Sequence, residues 1–456
     1  MLRKAVISLL LLGAVAPTLA GAASPVRGQT LMPGVVYSRQ VEFTAHGPVV
    51  MHVLSAPRPT GVYALKSILS NDAVQGTERL TSMERRYSDE ATLVAVNGGA
   101  AGVMRGRALD TAPAAERSTI GVDTDGTLHV DRVALEGTWQ GSGQRRLLGL
   151  NEAPRANRSA LYTRAWGART PAESGGAYAV LQPFGTATPN GTLTATVTGY
   201  LPGGNQPIPP DGAVLAARGS QAGFLTAEAP VGSKVTVVLT LTPPWTNVPD
   251  AVGGGPVLVR AGKPVYRAFE SFTTEQLAFR TGRSAVGQAA DGRIVFAVAD
   301  GRQPGYSTGL TNFELALAMM RFGCVTAYSL GSGAASTMAF DGKLLNRPSR
   351  RGEPSVASAL ALFYSGVYAP ALATREFSRG NAVALAYKLV RPSTVAAQVV
   401  GPGGTTIPLD AGTRAPGTYR LSWTAAGQPT GDWTFRVVAD DDQGQRSTAE
   451  RGFTLK

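Results

Sequence analysis

The sequence predicts an α+β protein, in which a strand-rich mixed main domain with a few helices precedes a small C-terminal β-sandwich. The chain contains 55 glycines and 30 prolines, which is typical of many tight turns. Short apolar runs rich in valine, alanine and threonine recur between those turns, as strands do. Two segments instead place apolar residues at helical spacing, which adds helices to the predicted main domain.

Length and composition exclude several classes of protein. A chain of 456 residues suggests two or three domains at about 100–200 residues each. With 43% hydrophobic residues it is too apolar for a disordered chain, and its glycines lack the collagen period. The formal net charge of +12 indicates anionic partners such as envelope polymers, phosphates or polysaccharides. Nucleic acid is not predicted, because the basic residues are scattered and no binding motif occurs.

The first 23 residues have the three-part layout of a secretory signal peptide. Arg3 and Lys4 form a basic start, residues 5–16 form an apolar run, and small residues follow up to Ala23. The alternative is an uncleaved anchor, but the run is short for a bilayer span of about 20 residues. No transmembrane segment is predicted after cleavage, so we expect a secreted, periplasmic or cell-surface protein. The single cysteine, Cys324, excludes an internal disulfide and a thiolate metal cluster.

The main domain is predicted over residues 31–366. Loose alternation indicates strands up to about residue 60, and Leu80, Met83 and Tyr87 lie at helical spacing within a predicted helix over 76–90. A second helix is expected to begin at Thr311 or Asn312 and to end at Gly323. Further strands are predicted at 92–96, 120–130, 177–181, 193–197, 213–217, 234–241, 257–260, 294–299 and 325–330.

The pattern of apolar runs and turns changes near residue 370. Residues 367–380 are predicted to be a linker, and residues 381–456 an immunoglobulin-like β-sandwich. The tail contains alternating runs separated by turns eight to fifteen residues apart, at 383–389, 394–400, 418–423, 433–438 and 452–455.

Two familiar catalytic patterns are rejected. Gly305-Tyr306-Ser307-Thr308-Gly309 matches the G-x-S-x-G serine-hydrolase pattern, but that fold places its histidine after the serine. All three histidines precede Ser307, so an ordinary glycine turn is the better interpretation. His46 and His52 fit no zinc spacing, so no metal site and no cofactor are predicted, and a need for a divalent cation stays open.

Several glycine-rich segments together resemble the phosphodiester glycosidase family, over about residues 31–366. Ala95-Val96-Asn97-Gly98-Gly99 resembles the family's V-N-G-G-F-F motif. Asp300-Gly301-Arg302 through Glu314-Leu315-Ala316 is similar to D-G-R…G-x-T-x-x-E-L-A. Gly253-Gly254-Gly255-Pro256 and Arg283-Ser284-Ala285-Val286-Gly287 occupy the places of later landmarks. The resemblance implies a glycosidase of sugar-1-phosphate diesters.

The departures from the family pattern concern the site itself. The family segment L-D-G-G-G-S-S/T-T is here Leu330-Gly331-Ser332-Gly333-Ala334-Ala335-Ser336-Thr337, so Gly331 replaces a carboxylate. Ala100 and Ala101 replace two aromatic residues, and Pro354 replaces an arginine that could hold phosphate. Side chains are lost while the glycines that shape the backbone remain, which predicts a retained scaffold with a weakened site.

Cleavage of a sugar–phosphate diester needs cations or N–H groups on the phosphate and a carboxylate as acid, base or nucleophile. Glu314 and Asp300 are the candidate catalytic carboxylates. For Glu314 the alternative is a first-turn acid stabilised by the helix dipole, and for Asp300 a turn salt bridge with Arg302. The candidate substrate-binding residues are Asn97, Arg283, Arg302, Ser336 and Thr337.

Two hypotheses of function follow. The first is an exported phosphodiester glycosidase acting on sugar-1-phosphate diesters of envelope or extracellular glycans. The second is a non-catalytic relative that binds carbohydrate or sugar phosphate, or serves as a surface component, on the same fold. Arg302 and Glu314 favour the first, whereas Gly331 and Pro354 favour the second. Whether the protein is an enzyme, and its oligomeric state, stay open at this point.

Overall fold

The computed structural model describes residues 28–153, 155–173, 175–265 and 269–456, so the predicted signal peptide lies outside the described residues. With 49% strand and 9% helix, the fold is mostly β, and the predicted α+β class is wrong. The helix predicted over 76–90 covers only Leu80–Arg86. Residues just before it pair in a strand with Ser355–Val356, and their backbone groups are thereby withdrawn from the helix.

Among the described residues up to Asp131, the chain forms ten strands and one α-helix. They are β1 (Gln29–Met32), β2 (Val35–Thr44), β3 (Gly47–Ala56), β4 (Tyr63–Leu69), β5 (Glu78–Arg79), α1 (Leu80–Arg86), β6 (Thr92–Asn97), β7 (Met104–Arg105), β8 (Ala108–Leu109), β9 (Thr119–Val122) and β10 (Leu128–Asp131).

The middle part, up to residue 264, is also built mainly of strands. They are β11 (Ala134–Gln140), β12 (Gln144–Leu147), β13 (Gly149–Leu150), β14 (Ser159–Tyr162), β15 (Ala177–Gln182), β16 (Gly191–Tyr200), β17 (Ala213–Ala217), α2 (Ser220–Glu228), β18 (Lys234–Thr242), β19 (Asp250–Gly253), β20 (Val257–Arg260) and β21 (Lys263–Pro264).

The last part contains two further helices and the C-terminal strands. They are α3 (Thr274–Ala278), β22 (Arg283–Ala289), β23 (Ile294–Ala299), α4 (Asn312–Arg321), β24 (Cys324–Ser332), β25 (Met338–Phe340), β26 (Lys343–Leu344), β27 (Ser355–Val356), β28 (Ser358–Tyr364), β29 (Glu376–Phe377), β30 (Ala382–Leu389), β31 (Ser393–Val400), β32 (Thr406–Arg414), β33 (Gly417–Thr424), β34 (Gly431–Asp441) and β35 (Arg446–Leu455).

The centre of the main body is an eight-stranded sheet in the order β1-β2-β3-β23-β22-β24-β20-β21. The side chains of β23 show how the central sheet is packed, because successive side chains of a strand point to opposite faces. Ile294, Phe296 and Val298 contribute to a core shared with the sheet β26-β25-β6-β28-β4. Val295 and Ala297 contribute instead to a core covered by α4. The central sheet is therefore buried on both faces.

Two further sheets complete the main body. A five-stranded sheet, β10-β9-β19-β7-β8, adds Ile120 and Val252 to the core of the central sheet. An eight-stranded sheet, β12-β11-β18-β16-β15-β17-β14-β13, is formed by residues 134–242 and has its own core around Trp139 and Leu181.

The C-terminal residues form two sheets, β29-β35-β34-β31-β32 and β30-β33, around a core that includes Trp423 and Trp433. This unit touches the main body directly. Arg451 donates to the carbonyl oxygen of Leu31 at 2.8 Å, and the Val367 N–H donates to Ser447 Oγ at 2.9 Å. The division into domains at 367–380 stays a prediction.

The predicted site residues lie where strands begin and end. Strand β6 ends at Asn97, and Asp300 directly follows β23. Gly331 is the second-last residue of β24. Strand β22 is antiparallel to β23 and β24, so its first residue, Arg283, lies beside their ends. Thr337 precedes β25, the neighbour of β6. Sheet pairing thus brings five residues from distant parts of the sequence to one edge.

Candidate functional site

Asp300 is the centre of the polar groups at this edge. Its side chain is completely buried, and its Oδ2 accepts from His52 Nε2 at 2.9 Å and from the Tyr306 hydroxyl at 3.0 Å. Its Oδ1 accepts from Asn346 Nδ2 at 2.9 Å, and the Arg347 N–H lies 3.1 and 3.2 Å from the two oxygens. We call these five residues the Asp300 network. Charge-assisted hydrogen bonds of this kind compensate the cost of burying a carboxylate.

The network continues behind His52. The Tyr37 hydroxyl lies 2.7 Å from His52 Nδ1. Because the Asp300 carboxylate only accepts, His52 Nε2 donates, and in the neutral ring Nδ1 accepts from Tyr37. Burial raises the pKa of Tyr37 to about 12, so this hydroxyl stays protonated and able to donate at neutral pH. The imidazole is therefore held in one orientation and one tautomer.

Asn346 connects Asp300 to three of the predicted binding residues. Its Nδ2 also donates to the carbonyl oxygen of Ser336 at 3.0 Å. The next N–H, of Thr337, donates to Asn97 Oδ1 at 3.0 Å. The structure therefore brings Asn97, Asp300, Ser336 and Thr337 together, and their assignment to substrate stays a prediction.

Gly331 lies directly against Asn97. A Cβ atom at position 331 would overlap the side-chain nitrogen of Asn97 and would lie 3.4 Å from Ser284 Oγ. The space that a side chain at 331 would need is thus already filled by an amide. At this point of the site a neutral group stands where the resemblance implies a carboxylate.

Two cations lie next to this network. The guanidinium of Arg283 is buried and donates to the carbonyl oxygens of Leu310 at 3.0 Å and Phe279 at 2.8 Å. Burial, with a further contribution from the charge of Arg302, lowers the pKa of Arg283 to about 10. Arg302 is exposed, and within the described residues its side chain has no hydrogen bond or ion pair. The predicted alternative, a salt bridge between Asp300 and Arg302, is wrong because Asp300 pairs with His52.

Glu314 lies in a different environment. Its Oε2 accepts from the Thr311 N–H at 2.9 Å and from Thr311 Oγ1 at 3.0 Å, completing a capping box at the start of α4. Its Oε1 pairs with Arg280. Within the described residues no contact joins Glu314 to Asp300. These contacts are those of a helix cap, and a catalytic role for Glu314 stays a prediction without a contact that supports it.

Two buried hydroxyls near the same strand ends make no hydrogen bond within the described residues. They are Thr281 Oγ1 and Ser336 Oγ. Both lie around Gly282, whose added Cβ would stand 3.5 Å from the Ser336 Cβ. An unpartnered buried hydroxyl is unfavourable unless a water or ligand satisfies it, so these atoms are suited to contact a bound molecule.

The patterns rejected above have plain structural explanations. Ser307 Oγ is buried, donates to the Asp300 carbonyl oxygen at 2.6 Å and accepts from the Val50 N–H at 3.0 Å, so it holds a turn. Among the described residues no group of three potential ligands could hold a metal ion. In the same part of the chain, none of the helices has the length and apolar character that a bilayer crossing requires.

Sequence reasoning missed His52, Tyr306, Asn346 and Arg347. The available signal for His52 was a histidine within an apolar alternating run of β3, a position that usually requires a polar partner. Asn346 and Arg347 lie in an irregular segment after β26, and only the folded chain places them beside Asp300. No local pattern could have predicted that contact.

Comparison with known proteins supports the predicted family resemblance over part of the chain. Residues 185–363 match the model of the phosphodiester glycosidase family, which confirms the predicted resemblance. This segment contains Asp300, Gly331 and Asn346, whereas Asn97 and His52 precede it.

Two solved structures have a similar fold, and this chain covers only part of the length of each similar protein. The SPbeta prophage-derived protein YomE of Bacillus subtilis is 33% identical over 107 residues, which are 24% of this chain and 16% of the relative. A crystal structure of a Synechocystis protein is 24% identical with a TM-score of 0.61, covering 75% of this chain and 64% of that one. A Burkholderia pseudomallei protein named as exported is 22% identical with a TM-score of 0.54, covering 69% and 74%.

Proposed function

Since residues 185–363 match the phosphodiester glycosidase family, we propose that this protein binds sugar-1-phosphate diesters of envelope or extracellular glycans. The binding place is the strand edge around Asn97, Ser336 and Arg302. Arg302 supplies the cation for the phosphate, because a guanidinium offers a planar fork of donors to its oxygens. The unpartnered Ser336 hydroxyl supplies a further hydrogen bond to the ligand.

One contrast at this edge carries the proposal. The exposed Arg302 guanidinium has no partner in the described chain, whereas the Asp300 carboxylate is fully buried and already accepts several hydrogen bonds. Gly331 adds no side chain. A site with a free cation and, within the described residues, no free carboxylate can hold a phosphodiester but lacks the accessible carboxylate that usually protonates or attacks the anomeric centre. Losing such a group commonly costs about 10²–10⁴ in rate.

Hydrolysis is the second candidate function, and the family match favours it. The residues able to move a proton are His52 and Asp300, whose Nε2 and Oδ2 atoms lie 2.9 Å apart. Turnover by this pair would require the substrate to displace hydrogen bonds that the Asp300 carboxylate already accepts from Tyr306 and Asn346.

The test uses a methyl diester of N-acetylglucosamine-1-phosphate. Binding is measured by calorimetry and release of N-acetylglucosamine by chromatography. We expect binding without measurable release, and about tenfold weaker binding in Arg302→Gln, since one charge-assisted contact is worth about 1.4 kcal/mol. Arg146→Gln is the matched control, because Arg146 is exposed and without side-chain partners in the described chain.

The alternatives give different results. Rapid release that His52→Gln abolishes would make the protein a phosphodiester glycosidase in activity as well as in family. Rapid release that Glu314→Ala abolishes would restore the catalytic role predicted for that carboxylate. Absence of both binding and release would leave a structural role.

Export to the envelope is part of this proposal. The signal-peptide pattern of residues 1–23 supports it, as does the Burkholderia protein of similar fold that is named as exported. The test is the mass of the mature protein from a periplasmic or culture fraction, which should begin near residue 24. A full-length protein retained in the membrane fraction would favour an uncleaved anchor.

A further inference from the structure

A groove of about 890 Å³ lies beside the Asp300 network, and it is larger than one phosphate requires. Two loops line it, residues 302–306 and residues 344–353. Asn346 and Tyr306 belong both to the network and to its wall. The groove is therefore continuous with the proposed sugar-phosphate site.

The charge of the groove is strongly positive. Arg302, Arg347, Arg350 and Arg351 line it and are all exposed. Its one acidic residue, Glu353, is occupied, since its oxygens accept from the Thr81 N–H at 2.8 Å and from Thr81 Oγ1 at 2.7 Å. We call this surface the arginine groove.

The arginines of the groove have no carboxylate partner within the described residues. Arg302, Arg350 and Arg351 make no side-chain hydrogen bond there, and Arg347 lies over the ring of Tyr306, 4.7 Å from its centroid. Elsewhere on the surface, exposed arginines such as Arg293 and Arg321 pair with neighbouring acids. A concentration of unpaired guanidinium groups in one groove focuses a positive potential that attracts anions.

The backbone at Arg302 adds to this argument. Arg302 has φ of 55°, in the left-handed region that a non-glycine residue adopts only with steric strain. The charge of Arg302 also acts unfavourably on buried Arg283. An anion bound at Arg302 would relieve this repulsion. The strained backbone thus holds the Arg302 charge at a place where it is unfavourable unless an anion binds.

We propose that the arginine groove binds a polyphosphodiester glycan chain, so that several successive phosphates of one polymer are held together. This inference deepens the proposed function and rests on it, since one diester lies at Arg302 and the neighbouring ones extend toward Arg350 and Arg351. The ligand class is then a polymer of phosphodiester-linked units, and a single sugar phosphate is only its smallest fragment.

The groove is poorly suited to a single-stranded nucleic acid. Proteins that bind such strands stack successive bases on aromatic side chains. Tyr306 is the aromatic residue that lines the arginine groove, and Arg39 and Arg347 lie over its ring, 5.8 and 4.7 Å from the centroid. Two cations thus already lie over this ring, and a flexible polymer that needs only phosphate contacts is the better match.

The experiment measures binding of a fluorescent oligo(glycerol phosphate) with several phosphodiesters to the purified full chain at a series of salt concentrations. Arg350→Gln/Arg351→Gln should weaken binding about tenfold and lower the slope of log affinity against log salt by about one to two. The control Arg146→Gln/Arg420→Gln removes the same charge from exposed residues on other sheets and should change binding less than about twofold. Both double variants remove side chains without partners in the described chain, so folding should be preserved.

Three outcomes would overturn the inference. The first is equal weakening in both double variants, which would indicate general attraction to a basic protein. The second is no weakening in Arg350→Gln/Arg351→Gln. The third is binding of a single-stranded DNA of equal charge as tight as that of the glycerol phosphate polymer, with the same loss in the variant.

A separate arm distinguishes this inference from the proposed function. The methyl diester of N-acetylglucosamine-1-phosphate should bind the Arg350→Gln/Arg351→Gln variant and the unmodified protein equally, because it has only one phosphate. Absence of diester binding to the unmodified protein would contradict the proposed function. Retained diester binding without an effect of the double variant on the polymer would contradict only the arginine groove.

Discussion

The Asp300 network and the arginine groove share Asn346, Tyr306 and Arg347, yet they use polar groups in opposite ways. In the network the carboxylate is buried and its oxygens accept from four residues. In the groove the guanidinium groups are exposed and lack acidic partners within the described chain. A charge that is fully satisfied holds the fold, whereas charges left unsatisfied in a concave surface are available to a ligand. The comparison indicates that the Asp300 network stabilises the fold, whereas the adjoining arginine groove is available for binding.

The largest effect is expected from Asp300→Asn. The new amide nitrogen would face donors and leave at least one of them without an acceptor, at a cost of about 1–3 kcal/mol for each unpaired buried donor, and the remaining hydrogen bonds would lose their charge assistance. The free energy of unfolding in urea measures this loss. Asp442→Asn, an exposed acid in a turn, should change it by less than about 0.5 kcal/mol. A small effect at Asp300 would show that the network is not structural.

A second buried carboxyl group, that of Asp250, can be compared with Asp300. It accepts from the Ser67 N–H at 3.2 Å, and burial raises its pKa to about 6. The native state therefore binds a proton that the unfolded state, with a pKa near 3.8, has already lost. Between pH 4 and 6 the unfolding free energy should thus fall as pH rises, by on the order of 2–3 kcal/mol from this group.

The measurement compares urea unfolding of the unmodified protein and Asp250→Asn at pH 4.5 and pH 7. The unmodified protein should lose stability relative to the variant on going to pH 7, because only its carboxyl ionises. A constant difference between the two proteins would mean that Asp250 is ionised throughout.

Gly331→Ala tests the close contact with Asn97. The added Cβ would overlap the Asn97 amide, and overpacking of this kind costs about 1–3 kcal/mol. In the double variant with Asn97→Ala the combined loss should be smaller than the sum of the two single losses. Gly223→Ala in α2 is the control, since an added Cβ there meets open space and should be neutral or stabilising. Additive losses would place Asn97 away from position 331.

The smallest effect is expected from Glu314→Gln. A glutamine keeps acceptors for the Thr311 N–H and hydroxyl but loses the ion pair with Arg280, at about 0.5–1 kcal/mol of unfolding free energy. Diester binding and any release of sugar should be unchanged. Loss of release with unchanged stability would instead assign Glu314 to the chemistry, and the helix cap would then be secondary.

Much of the strand layout was predictable, because alternation and turn residues are local signals. The strands at 213–217, 257–260 and 294–299 lie where the sequence predicted them. The fold class was still wrong, since short paired segments such as β7 and β8 carry no periodicity of their own. They become strands only because a partner strand satisfies their backbone groups.

The site was predictable as a location rather than as a set of contacts. Polar residues after buried strands identified Asn97, Asp300 and Arg302, and the family resemblance identified Gly331. The sequence paired Asp300 with Arg302, its near neighbour, whereas the folded protein pairs it with His52 from a strand 248 residues earlier. Local spacing favours the near partner, but the sheet decides which side chains meet.

The sequence by itself thus determined many of the longer strands, where chain reversals occur, and that a glycine stands at position 331, where the resemblance implies a carboxylate. Only the tertiary structure decided the partners of each charge: a buried Asp300 with every oxygen occupied, a Glu314 that caps a helix, and arginines left free in a groove. The physical reason is the distance along the sequence over which each interaction acts. Backbone propensity and side-chain alternation act over a few residues, whereas burial and ion pairing depend on atoms that come together only when distant strands align.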